Sequence, residues 1–131
     1  MYKIMASGNL VADPELRYSK DGKAYCNLRI AINTGKDKPA TFKDVICFSY
    51  LAENVGSSLL KGDKTIVCGR IETQSWEDKE GTEHTKEQII AEDCGPSLMF
   101  AEADMKRKAK VDYQGDNKNN NQGELGEEFQ G

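Results

Sequence analysis

The chain has 131 residues, 37% of them hydrophobic and 31% charged, with a formal net charge of −4. That length suits one domain with a single core plus an extension. No apolar run approaches the ~18 residues of a membrane span, and the start MYKIMASGNL, broken by Ser7, Gly8 and Asn9, is not a signal peptide, so a soluble cytoplasmic protein is expected.

In chain order, Tyr2 to Ala6 begins a first strand, which Gly8-Asn9 interrupts. The stretch RYSKDGK (17–23) is a hairpin signal, because Asp21-Gly22 suits a tight turn. A second strand runs from Ala24 to Asn33, where Cys26, Leu28, Ile30 and Ile32 alternate with Asn27, Arg29 and Ala31. NTGKDKPAT (33–41) is a polar, basic loop, and Phe42 to Tyr50 is a third strand. In YLAENVGSSLLKGD the period of two fails: Leu51, Val55 and Leu59 recur at helical spacing with Ala52 beside them. A short helix is expected there, weakened by about 1 kcal/mol at Gly56 and stopped by Lys61-Gly62. Lys64 to Trp76 is a long fourth strand, Asp78 to Glu83 a turn containing Gly81, and His84 to Ala91 a fifth strand.

From about Val111 the composition changes to VDYQGDNKNNNQGELGEEFQG, mostly Asn, Gln, Gly and acid. Such a segment cannot bury enough apolar surface to offset its ordering entropy, so residues 111–131 are expected to be a disordered acidic tail and residues 1–110 the folded domain. The charge divides at the same point. Residues 1–110 carry 17 basic and 17 acidic groups, so the whole excess of −4 lies in the tail. Just before it, MKRKAK (105–110) is a basic run that serves equally well as a solvated hinge or as a contact for a polyanion.

Cys26, Cys47, Cys68 and Cys94 are far apart, with no C-x-x-C pair and a single histidine, His84, which argues against a metal site and for free thiols in a reducing compartment. There is no glycine-rich phosphate loop and no H-E-x-x-H, and the carboxylates of EDKEGTE sit on a turn, so neither catalysis nor a cofactor is expected. Three strands, a helix and two more strands match an all-β fold, the five-stranded Greek-key barrel called the OB-fold, with one short helix between strands three and four.

Three stretches, GNLVADPELRYSKDGKAYCNLRIAIN (8–33), VICFSYLAENVGSSLLKGD (45–63) and CGRIETQSWEDKEG (68–81), resemble the bacterial and phage single-stranded DNA-binding proteins. The resemblance covers nearly all of residues 1–100, and the aromatic-bearing strand that runs into LAEN and its K-G stop is its most specific part. It implies sequence-independent binding of single-stranded DNA in replication, recombination and repair by a homotetramer. It also implies stacking of bases on Trp76, Phe42 and Phe48.

Residue chemistry bears on these positions separately. Trp76 stands among Gln74, Ser75, Glu77 and Asp78, as an exposed platform would, and every base offers a π-face whatever its identity. A tryptophan covering the barrel end or a subunit contact remains the alternative. For Phe42 and Phe48 the strand pattern opposes the resemblance: the bulkier set Phe42, Ile46 and Phe48 reads as core, whereas the resemblance turns Val45 and Cys47 inward. Phosphate attraction is assigned to Arg29 and Arg70, which lie opposite the apolar parity or share parity with Trp76, and to Lys20, Lys23, Lys36, Lys38 and Lys43. The loop 33–41 lacks the extra aromatic of many relatives.

The resemblance further implies recruitment of replication and repair proteins by an acidic tip, here Glu124, Glu127, Glu128 and Phe129. Gln130 and Gly131 follow, so the ring is not terminal, and a solubilising tail is an equal alternative. Two rival functions stay open: an RNA-binding OB module, and a protein–protein adaptor that uses the same aromatics as anchors.

Overall fold

The computed structural model describes residues 3–108. Six strands and one helix follow one another as β1 (Lys3–Leu10), β2 (Glu15–Tyr18), β3 (Ala24–Ile32), β4 (Thr41–Phe48), α1 (Ser49–Ser58), β5 (Lys64–Glu77) and β6 (Glu83–Pro96). They pair in the order β1-β5-β6-β4-β3-β2, and a further β1–β3 pairing closes a ring of five strands. This is the expected OB-fold barrel, with β2 added outside the ring as a hairpin on β3.

Closure depends on β1 serving two partners. Lys3 to Asn9 pair with β5, while Asn9 and Leu10 pair with β3. Gly8 stands where the strand changes partner, and a Cβ there would lie 2.5 Å from the Ala31 carbonyl oxygen. The glycine read as an interruption is therefore what lets β1 continue to Leu10. Gly69 has a similar role at the β-bulge between Cys68 and Gly69, where an added Cβ would collide with the Ile90 carbonyl.

The core is the inward parity of each strand. Cys26, Leu28 and Ile30 from β3 meet Val45 and Cys47 from β4, Val67 from β5 and Ile89 and Ala91 from β6. Each larger aliphatic buried this way contributes roughly 1.5–3 kcal/mol. Ala52 and Val55 bring α1 onto the same cluster, and Leu59 joins it just past the helix end. The Cys47 thiol donates a hydrogen bond to the Cys94 sulfur, and that contact together with burial pushes its pKa far above the ordinary thiol range. Cys26 and Cys47 are buried free thiols, whereas Cys68 and Cys94 are only partly covered.

Several boundaries differ from expectation. The short β2 was not foreseen; its four residues (Glu15–Tyr18) pair with β3 around the turn that Asp21-Gly22 does form. The third strand ends at Phe48, and Ser49 and Tyr50 already belong to the helix. That helix ends at Ser58, ahead of Lys61-Gly62, because Leu59 is extended and turns its side chain into the core. Gly62, at φ 91°, instead shapes the Leu60–Asp63 turn into β5. β6 continues past Ala91 to Pro96, since β5 pairs with it along its whole length.

Candidate nucleic-acid interface

Residues directly opposite in a ladder point to the same side of a sheet, so the registers define the outer face of the barrel. Between β3 and β4 the outward pairs are Tyr25 with Phe48, Asn27 with Ile46, Arg29 with Asp44, and Ala31 with Phe42. The row continues across β6 through Gln88 beside Asp44 and Ile90 beside Ile46. It reaches β5 through Arg70 beside Ile90, Glu72 beside Gln88, Gln74 beside Lys86, and Trp76 beside His84. Phe42, Phe48, Trp76, Arg29 and Arg70 thus share one continuous surface.

Phe42, Phe48 and Trp76 are each 48% exposed, whereas Val45 and Cys47 are fully buried. The strand-pattern expectation that Phe42, Ile46 and Phe48 form the core is overturned, and Phe42 and Phe48 point outward as the resemblance implied. The physical reason is bore. A closed five-stranded barrel has a narrow interior, already filled by the aliphatic and small residues named above, so these rings lie outside.

The setting of Trp76 also has a cause. β4 pairs with β6 only through Gln88, Ile89 and Ile90, so the segments 72–77 and 83–87 form a two-stranded arm with nearly every residue exposed. An apolar ring on such an arm has polar neighbours on all sides. It stacks on His84 with centroids 5.5 Å apart and planes at 25°. His84 Nε2 lies 2.8 Å from Asp78 Oδ2, while Asp78 Oδ1 accepts bonds from the Glu80 and Thr82 N–H groups. The His84 bond first, then the Thr82 amide, holds the Asp78 carboxyl below the usual carboxylate range.

The cations divide. The Arg29 guanidinium lies 5.2 Å from the Phe42 ring centroid and 3.3 Å from Asp44 Oδ1. Arg70 is exposed beside Ile90 on the same face. Lys20 and Lys23 are exposed at the β2–β3 turn, at the Tyr25–Phe48 end of the face, and Lys36 and Lys38 are exposed in the loop beyond the Ala31–Phe42 end. Lys43 does not join them. It has the inward parity of Val45, stands opposite buried Ile30, and pairs with Glu87 at 3.1 Å. The tail residues Glu124, Glu127, Glu128 and Phe129 lie outside the described residues, as does the segment 111–131.

Sequence reasoning did not assign Tyr25, Asp44, His84 or Lys86 to this face. The alternation of the fifth strand was a usable signal for Lys86, which shares parity with His84 and Ile90; no local pattern brings Asp44 beside a residue of β6. Among the described residues no group of three or more His, Cys, Asp or Glu could hold a metal ion, and no helix is long and apolar enough to cross a membrane.

Residues 1–97 match the profile of the single-strand binding protein family. The chain belongs to that family. Its similar relatives include a single-stranded DNA-binding protein of Corynebacterium glutamicum, 42% identical over 113 residues, which covers 79% of this chain and 50% of that protein. Proteins of the same name from Paenarthrobacter aurescens and Mycobacterium tuberculosis are each 37% identical, over 86% and 82% of this chain and 71% of their own lengths. The chain thus spans half of the first of these family members and under three quarters of the other two. The matched region contains the entire barrel and every outward aromatic named above.

Proposed function

We propose that this chain binds single-stranded DNA without sequence preference and shields it during replication, recombination and repair. The observation that carries the reading is the shared outer face of Phe42, Phe48 and Trp76, each half exposed, with Arg29 and Arg70 among them in a family member. Stacking on a ring is worth roughly 1–3 kcal/mol per base whatever the base, and arginines on the same face draw the phosphates. Lys20, Lys23, Lys36 and Lys38 extend the attraction past both ends of the aromatic row; Lys43, held by Glu87, contributes less. The protein acts by binding alone, through a domain of residues 1–110, and the tail segment 111–131 recruits replication and repair proteins.

It assembles as a homotetramer. Met5 is 75% exposed on the outward side of β1 and Ile66 40% exposed on the adjoining strand, an apolar surface that suits a second copy. Sedimentation at several concentrations reads this out directly.

Titrating Trp76 fluorescence with oligo(dT), duplex DNA and RNA of equal length tests the binding reading. Saturable, salt-sensitive quenching by oligo(dT), with little response to duplex, is expected. Stronger quenching by RNA would make it an RNA module, and no response to any nucleic acid would favour the adaptor.

A further inference from the structure

An acid sits in the middle of the proposed interface. Asp44 is outward on β4, two residues from Phe42, and its two oxygens hold two different cations: Arg29 Nη1 at 3.3 Å on Oδ1 and Lys86 Nζ at 3.4 Å on Oδ2. The cations come from the strands on either side, β3 and β6. The carboxylate is the more enclosed partner, with 27% of its side chain exposed against 52% for Arg29 and 47% for Lys86. Arg29 is the cation that also stacks on Phe42. One carboxylate therefore engages two cations beside an exposed stacking ring and offsets one of their two charges.

We propose that Asp44 is an internal competitor for DNA phosphate, lowering the affinity of this face and its sensitivity to salt. The inference rests on the single-stranded DNA reading above. A carboxylate and a phosphodiester offer a guanidinium or an ammonium the same kind of anionic oxygen. Ion pairs this exposed are weak, so an arriving phosphate takes Arg29 and Lys86 at small cost. Asp44 is then left without its partners and must recruit a cation from solution. Binding DNA releases counterions from its phosphates, and the ion taken up at Asp44 subtracts from that release. The free protein also presents a weaker positive field around Phe42 than its arginine and lysine would otherwise create.

The test is oligo(dT) binding across a salt series by the full chain and by Asp44→Asn, with Asp44→Ser as a second variant and thermal melting to verify folding. The expected result is a gain of about two- to fivefold in affinity at low salt, the equivalent of one exposed ion pair. The slope of log K against log salt should steepen by up to about one. The gain should vanish when Arg29→Ala and Lys86→Ala are already present. Unchanged or weaker binding by both folded variants overturns the inference, and would mean that Asp44 positions the cations. If the unaltered protein binds no oligo(dT), the interface reading itself fails and this inference falls with it.

Discussion

Trp76 is an apolar ring set in a polar, exposed place. Its indole lies on an arm with few apolar neighbours, one face against His84 and about half its surface open. Trp76→Ala should weaken oligo(dT) binding by ~1–3 kcal/mol for each stacked base lost, with an unchanged barrel melting transition; normal affinity would mean that the ring does not stack on bases. Asp78 organises the same tip. Because its folded pKa is depressed, chiefly by His84, its contribution is fully present above the unfolded aspartate value near ~3.9 and is lost as pH falls through the folded value. Exchange of the Glu80 and Thr82 amides should accelerate below about pH 4, and Asp78→Asn should remove that acid-dependent step. An identical acid profile in the variant would show that the turn is held by other groups.

At the scale of elements, backbone proximity explains what composition alone mispriced. Gly56 counts against α1 by propensity, yet a Cβ there would lie 3.1 Å from Leu16 Cβ, so its absence lets the helix lie close on β2. Gly69 is the stricter case, because the obstacle at the β5 bulge is the Ile90 backbone and no side chain can move aside. Gly69→Ala should destabilise the fold on the order of 3 kcal/mol, the upper end for overpacking. Urea unfolding should show a lowered midpoint with an unchanged slope. A loss below about 0.5 kcal/mol, typical of a neutral surface change, would mean that the bulge relaxes freely.

For the whole molecule the decisive quantity is where charge lies, and the net charge conceals it. Residues 1–110 are neutral in sum, and residues 111–131 contain the entire −4. Removing that segment should raise oligo(dT) affinity modestly at low salt, with the gain shrinking as the Debye length falls below ~10 Å. It should also abolish any partner binding that runs through Glu127, Glu128 and Phe129. Equal affinity at every salt concentration would make the tail's charge irrelevant to binding.

Periodicity was enough to read the barrel strands and the helix stripe, because alternation and helical spacing are local consequences of burying one side of an element. The resemblance in GNL, LAEN and QSWEDKEG was equally legible, since it needs only residues in order. What local pattern could not decide was the direction of β4. Phe42, Ile46 and Phe48 form the more apolar parity, and only the narrow closed bore, filled from five strands and the helix, turns them out and Val45 and Cys47 in. The meeting of Arg29, Asp44 and Lys86 was likewise invisible. Antiparallel β3–β4 and parallel β4–β6 pairing bring these residues together, and the β4–β6 pairing joins strands far apart in the chain, which no local pattern announces.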